Sequence, residues 1–529
     1  MKKMKKIIIL YIILAIGITS CNDEFFDVGP GDKLTGVSFW KTEKEASDAL
    51  TAAYATFSER GSVWSTWNTY LFAAGTMSDD ATGTYNSFQD GSVGPTDDTV
   101  GDLYKELYSN IRVCNVFLAN IDRPEMDEAL RNRFIAEARF IRAFHYSILR
   151  NNWGGVPLIT EPLTTSELNV PRALAEEITT FISTELTAAA ADLPVSYGAN
   201  DLGRATKGAA LTLKARALLY AGSHTEAAST AQDVMALGYD LFQDGNGEGY
   251  LNVHQKPNED NQEVIFAVRY NNPDTFHWYL VRVYPPNHTH PGGENGAVKI
   301  SQSFVNAFET TDGKTIDDVT SIFDPLNEFD NRDPRLNMAV LKKGDVLSGN
   351  PLAGSTVDAS NNTGYYARKL IQDEDFHGWD RYDRDIVLMR YAEVLLIYAE
   401  AKIESGSTDQ SVLDAINDVR ARAYGTVRTD TANYPAITTT DQSELREIIR
   451  RERRVELGME HGDHRLNDIR RWNIAETVLN GDLNGAIDDA TGDYRFIKRL
   501  SFDASKHYLW PIPQREIDLS DVLNQNPGY

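Results

Sequence analysis

The chain has 529 residues, 42% of them hydrophobic and 24% charged, with a formal net charge of −25 at pH 7. That acidity argues against nucleic acid or an anionic lipid surface as a partner, because both need a basic footprint. Two cysteines in the whole sequence cannot make a disulfide-held fold, and the length allows a large core in one or more domains.

The N-terminus carries Lys2, Lys3, Lys5 and Lys6, then an almost unbroken apolar run from Ile7 to Ile18. A bilayer span needs about 20 apolar residues, so this run has the length of a signal-peptide core instead. It ends in Ile18-Thr19-Ser20-Cys21, which resembles the lipobox of bacterial lipoproteins, where the leader is cut before the cysteine and the thiol is lipidated. Residues 1–20 are read as the leader, Cys21 as the lipidation site and 21–38 as a tether. Two or more acyl chains anchor a protein stably, so membrane contact is expected through the lipid anchor only. Asn22-Asp23-Glu24 resembles a signal for the outer leaflet of the outer membrane. No later segment is long and apolar enough to cross a bilayer.

Helical periodicity dominates the chain beyond the tether. Within 128–150 the residues Leu130, Phe134, Ala138, Ile141, His145 and Ile148 recur at steps of three and four, which is one face of a long helix. The same spacing predicts helices over 41–58, 103–121, 171–192, 206–221, 225–237, 389–404, 410–423 and 442–457. Pro171 is placed near a helix start, where its missing N–H costs nothing. Cys114, on a helical pattern, is read as a buried small hydrophobe. Segments 204–238 and 388–424 each read helix, turn, helix, over about the 34-residue period of a tetratricopeptide unit. Ala215 aligns with Ala399, Gly222 with Gly406 and Ala231 with Ala415; small residues there let paired helices approach. Such units stack because one alone cannot bury its apolar face.

The texture changes over 239–385, which is rich in Asn, Asp, Gly and Pro and holds one clear strand, 263–270. It is too long for a single connection and is read as a loop-rich lobe with a few short strands, laid over a helical scaffold of 39–238 and 386–529. Residues 64–100 form a second such stretch. Loops of this kind usually carry function.

A set of motifs, in order, resembles the SusD/RagB family of nutrient-binding outer-membrane lipoproteins. They are Phe39-Trp40 followed by Ala49, Ala53 and Tyr54; Ala136-Glu137-Ala138-Arg139-Phe140-Ile141-Arg142-Ala143-Phe144-His145-Tyr146; and Gly154-Gly155-Val156-Pro157-Leu158. The opening Arg204-Ala205-Thr206-Lys207-Gly208, the helix from Arg390 to Ala401, Arg451-Glu452-Arg453-Arg454-Val455-Glu456-Leu457 and Asp468-Ile469-Arg470-Arg471-Trp472 continue the series. Leu509-Trp510-Pro511-Ile512-Pro513 and Asn524-Gln525-Asn526-Pro527-Gly528-Tyr529 close it. The resemblance implies a mostly α-helical fold with about four tetratricopeptide-like helical pairs. One side of it is expected to pack on a TonB-dependent, SusC-like outer-membrane transporter. The implied function is capture of an oligosaccharide or polysaccharide at the cell surface and its delivery to that transporter, with no catalysis and no cofactor.

Ligand sites in the family follow no fixed motif, so candidates are taken from the aromatics of the loop-rich stretches. These are Trp64, Trp67, Tyr85 and Phe88 in the first, Trp278, Tyr279 and Tyr284 in the second, and Trp379 in a third. A sugar ring offers one apolar C–H face and a rim of hydroxyls, so a flat aromatic side chain and a few placed polar groups make a site for it. Asp80, Asn86 and Arg282 are the polar candidates. Trp40, Trp153, Trp472 and Trp510 lie within the family motifs and are read as structural; Glu137, Arg139 and Arg142 are read as internal pairs. His288-Thr289-His290 and Asp244-Gly245-Asn246-Gly247-Glu248 are read as polar turns, since neither completes a metal-ligand set.

Three rival readings remain. A helical glycoside hydrolase would need two carboxylates at a defined separation across a bond, a tetratricopeptide adaptor would need only its helical face, and a peptide-binding lipoprotein would use the same loops for another ligand.

Overall fold

The computed structural model describes residues 39–58, 70, 74–164, 167, 169–271, 274–277, 283–285, 297–347, 350–352, 363–369, 371, 382–488 and 491–529. Ten longer helices organise them: α1 Glu43–Tyr54, α2 Asp98–Asn120, α3 Glu128–Trp153, α4 Ala175–Asp192, α5 Lys207–Tyr220, α6 His224–Met235, α7 Tyr391–Glu404, α8 Gln410–Ala423, α9 Gln442–Leu457 and α10 His464–Arg471. Their starts are written in short polar side chains. Thr42 and Glu45 form a capping box on α1, and Asp97, Asp127, Thr206, Asp409 and Asp441 cap α2, α3, α5, α8 and α9, each satisfying an amide that the helix leaves open.

Each helix from α2 to α7 packs on the next, and α7 also receives α8 and α9. The mostly α, tetratricopeptide-like scaffold expected from the periodicity is present. Gly222 and Gly406 turn the chain between the paired helices at φ +80° and +82°, a conformation that costs other residues. Ala215, Ala231, Ala399 and Ala415 are buried where the helices meet, and Cys114 is buried on α2.

Some boundaries differ from the periodicity. Met389 belongs to a strand, not to α7, and α4 begins at Ala175, four residues beyond Pro171. A further short helix, α10, not among the predicted ones, follows α9 with Asp463 at its N-cap position.

The strands are short: β1 Ala81–Gly83, β2 Val264–Val268, β3 Val298–Ile300, β4 Val340–Leu341, β5 Tyr366–Ala367, β6 Ile386–Arg390, β7 Gly481–Ile487 and β8 Tyr494–Leu500. Four make one sheet in the order β1-β3-β5-β4, β2 pairs antiparallel with β6, and β7 with β8.

Buried ion pairs join the 239–385 segment to α8 and α9. Arg335 pairs with Asp333 (2.7 Å), Glu452 (2.5 Å) and Glu456 (2.9 Å). Arg390 pairs with Glu263 (2.7 Å), Glu456 (2.7 Å) and Glu460 (2.5 Å). Arg422 bridges Glu263 (2.9 Å) and Glu456. Charges this deeply buried persist only when paired, so these contacts fix how the segment sits on the helices. The family-motif residues Glu137 and Arg142 also pair internally, with Arg204 (3.0 Å) and Glu185 (2.5 Å).

The C-terminal motif closes the core. Trp510 packs edge-on against Trp153 with ring centroids 5.0 Å apart. Trp153 Nε1 donates to Pro511 O (2.9 Å), and Asn526 Nδ2 donates to the carbonyls of Trp153 (3.0 Å) and Trp510 (2.7 Å). Trp40 and Trp153 are buried as expected, whereas Trp472 is half-buried, with its Nε1 donating to Glu400 (2.6 Å).

Candidate ligand site

The sheet pairings gather the loop-rich stretches. β1 follows Asp79-Asp80 and pairs with β3 in the register Ala81↔Ile300 and Gly83↔Val298, which joins the first stretch to the second. The second meets the third at a small antiparallel bridge: His277 N–H donates to Tyr382 O (2.8 Å) and Tyr382 N–H to His277 O (3.1 Å).

Beneath the bridge lies a column of buried rings. Tyr270 meets His277 edge-on at 4.9 Å, His277 stacks on Tyr382 at 6.1 Å, and Tyr382 stacks on Tyr284 at 6.4 Å. Burial, with Arg384 nearby, pushes the His277 imidazole down to about 3. Burial likewise lowers His254, to about 4, and His461. These imidazoles are neutral at physiological pH, and that of His277 serves as a flat packing element between Tyr270 and Tyr382. Tyr284, a candidate for ligand contact, is a buried member of this column.

Tyr85 and Phe88 are not in an open polar loop. Both are buried, with ring centroids 6.0 Å apart, and Phe88 lies 4.7 Å from the Trp510 ring. Asp80 is also buried: Arg454 Nε donates to its Oδ1 (2.7 Å), while Arg454 and Arg465 both donate to Asp79. Burial alone would raise Asp79, but Arg454 and Arg465 overcome it and hold that carboxyl well below the usual range. The Asp pair thus anchors the start of β1 to α9 and α10.

Asn86, between Tyr85 and Phe88, is exposed. Its Oδ1 accepts from Lys498 Nζ (2.5 Å), and the same ammonium donates to Gln89 Oε1 (3.3 Å). Phe496, on the same strand as Lys498, is 59% exposed. Asn86, Lys498 and Phe496 place a carboxamide, an ammonium and an exposed ring beside the joined loops. Lys498 and Phe496 were not singled out from sequence, because the alternation that begins at Tyr494-Arg495-Phe496 is broken by Phe496-Ile497 and Lys498-Arg499.

Trp64, Trp67, Trp278, Tyr279, Arg282, Trp379 and the His288–His290 pair lie outside the described residues, as do Cys21 and the leader. Among the described residues no group of three His, Cys, Asp or Glu is placed to hold a metal ion, and no helix is long and apolar enough to cross a membrane. Asp244 spends its carboxylate within its own loop, on the Asn246 and Glu248 amides and the Asn252 side chain.

Comparison with known proteins agrees with this architecture. Residues 262–529 match the SusD family, and residues 24–219 match a family described as starch-binding and associating with the outer membrane. The latter description bears out the outer-membrane location read from the leader. A SusD-like protein of Formosa agariphila is 25% identical over 99% of this chain and 99% of its own length. The crystal structure of a SusD-like carbohydrate-binding protein from Bacteroides fragilis superposes with a TM-score of 0.82 at 28% identity, covering 92% of this chain and 100% of that one. A laminarin-binding SusD-like protein superposes with a TM-score of 0.69 at 25% identity, again covering 92% and 100%. With one family match spanning the C-terminal half of the sequence and the helical-pair scaffold in place, the chain belongs to the SusD family.

Proposed function

We propose that this protein is a cell-surface, lipid-anchored glycan-binding protein that captures an oligosaccharide or polysaccharide and passes it to a TonB-dependent, SusC-like transporter. The observation that carries the reading is the convergence of three aromatic-rich loop stretches, joined through β1–β3 and the His277–Tyr382 bridge. Family membership and the binding activities named for two structural relatives support it.

The proposed site combines Trp278, Tyr279 and Trp379 as stacking platforms with Arg282, Asn86 and Lys498 as polar contacts. A shallow surface with few platforms binds weakly, at a Kd of roughly 1 µM to 1 mM, or about 4 to 8 kcal/mol. Weak capture suits a protein that must release its ligand into a transporter. Anchoring beside the barrel compensates through effective concentration.

Affinity gel electrophoresis against a polysaccharide panel tests this. One glycan should retard the protein, and Trp278→Ala should abolish the retardation, with Asn86→Ala and Lys498→Ala weakening it several-fold at unchanged thermal stability. Absence of retardation by every glycan would overturn the reading.

A further inference from the structure

A cleft of about 280 Å³ lies beside α2. Tyr104, Tyr108, Ile111, Ile159 and Leu163 give it an apolar, aromatic lining. Its wall is built in advance, because the stretch 157–163 is tied to α2. Tyr108 Oη donates to Pro157 O (2.8 Å), Asn115 Nδ2 to Ile159 O (2.9 Å) and Arg112 Nη1 to Leu163 O (3.3 Å). Lys105 and Arg112 stand at the rim, both exposed, two turns apart on one face of the helix. Among the described residues neither meets a carboxylate. Surface guanidiniums elsewhere on this acidic chain do, as Arg446 does with Glu404 (2.8 Å) and Arg428 with Asp418 (2.8 Å). Of the two acids at the rim, Glu516 is taken by Arg515 (3.2 Å), so the two cations outnumber what Glu161 offsets. None of these residues belongs to the proposed glycan surface.

The tether that leads into α1 has the complementary sequence. Asn22-Asp23-Glu24-Phe25-Phe26-Asp27-Val28 sets two adjacent rings among three acids. A segment that serves only as a spacer is polar and poor in aromatics, and phenylalanines left in water forgo their burial. The cleft is also within reach. The described chain starts at Phe39, and Trp40 packs on Phe117 of α2 (5.8 Å). From Phe117 the cleft runs back along the helix from Asn115 to Tyr104, about 20 Å at its far end and on another side of the helix. Thirteen residues lead from Phe26 to Phe39, up to about 45 Å when extended, which covers both the distance and the passage round α2.

We infer that residues 23–28 dock in this cleft, with the Phe26 ring seated among Tyr108, Ile159 and Leu163, Phe25 across the rim, and the flanking acids paired with Lys105 and Arg112. With Cys21 as the anchor, four residues then separate the lipid from the body in place of seventeen, which holds the body close to the membrane in one orientation. That consequence rests on the lipid-anchored reading above; the docking itself does not.

The test uses the full exported chain in intact cells, with Phe25→p-benzoylphenylalanine as a photo-crosslinker. Irradiation should link position 25 to peptides containing 104–115 or 159–163 of the same chain. Lys105→Glu with Arg112→Glu should lower that yield at least five-fold at an unchanged thermal midpoint, and adding Asp27→Lys should raise it again at least two-fold. A main crosslink to another part of the chain or to a second protein, no crosslink at all, a yield indifferent to the charge reversal, or no recovery with Asp27→Lys would each overturn the inference.

Discussion

Glu456→Gln removes one charge from the buried ion-pair cluster without changing side-chain size. Glu456 Oε1 accepts from Arg390 Nη1 (2.7 Å) and from Arg422 Nη2, and Oε2 accepts from Arg335 Nη1 (2.9 Å). Removing one partner of a buried pair costs about 3–5 kcal/mol. Three guanidiniums do not triple that figure, because Arg335 keeps Asp333 and Glu452, and Arg390 keeps Glu263 and Glu460. Arg422 is left with Glu263 alone, so the expected loss is about 3–5 kcal/mol in all. Urea denaturation followed by tryptophan fluorescence at pH 7 measures it. The pH dependence gives a second check. Burial raises the Glu456 carboxyl, but Arg422, Arg390 and Arg335 overcome that and hold it far below the glutamate range. A group with a depressed folded pKa stabilises above its unfolded value, about 4.3 for Glu, and loses that contribution as pH falls toward the folded value. The deficit of Glu456→Gln should therefore shrink steadily below about pH 4.5. A deficit under about 1 kcal/mol at pH 7, or one indifferent to pH, would refute the assignment of the cluster as the tie between segment and scaffold.

His277 should make the fold acid-labile. Its folded value near 3 lies below the unfolded value of about 6.5, so the unfolded chain takes up the proton first and stability falls as pH drops below 6.5, by about 2 kcal/mol per such histidine at pH 5. His277→Asn should remove that part of the loss when urea midpoints at pH 7 and pH 5 are compared, and an unchanged pH slope would count against it. Phe88→Ala should cost about 3–5 kcal/mol through the void left against Trp510. A variant that keeps its stability but loses glycan retardation would instead put Phe88 in the ligand site.

Much of the scaffold was legible because helical periodicity is a local signal. The predicted 410–423 and 442–457 coincide with α8 and α9, each preceded by a capping Asp. β2 was legible, lying within the predicted strand 263–270, but the other strands were not: β4 and β5 have two residues each, too few for any alternation to show. α10 was hidden because eight residues are too few for the three-and-four spacing to stand out, although Asp463 holds its N-cap position. The site was legible only as a composition. Loop aromatics mark where rings are, but Tyr85 and Phe88 are buried, Phe88 against the sequence-remote Trp510, and no local pattern announces that. Asp80 looked like a rim group for the same reason, since its partners Arg454 and Arg465 lie at the other end of the chain.

The C-terminal seal sets an order of events for making the protein. Trp153 meets the Tyr104 ring (5.2 Å) within the N-terminal part, but its second ring partner and its carbonyl acceptor are residues 510 and 511, and Arg172 is held by Asn524 (2.8 Å) and Asn526 (2.6 Å). The long helices can form as they are synthesised, yet the pocket around Trp153 stays open until residues far downstream have been made. A chain threaded through a membrane in extended form gains from that delay. The last contacts that lock its core become available only when nearly all of it has passed, and a chain stopped before residue 510 would remain a loose target for proteases.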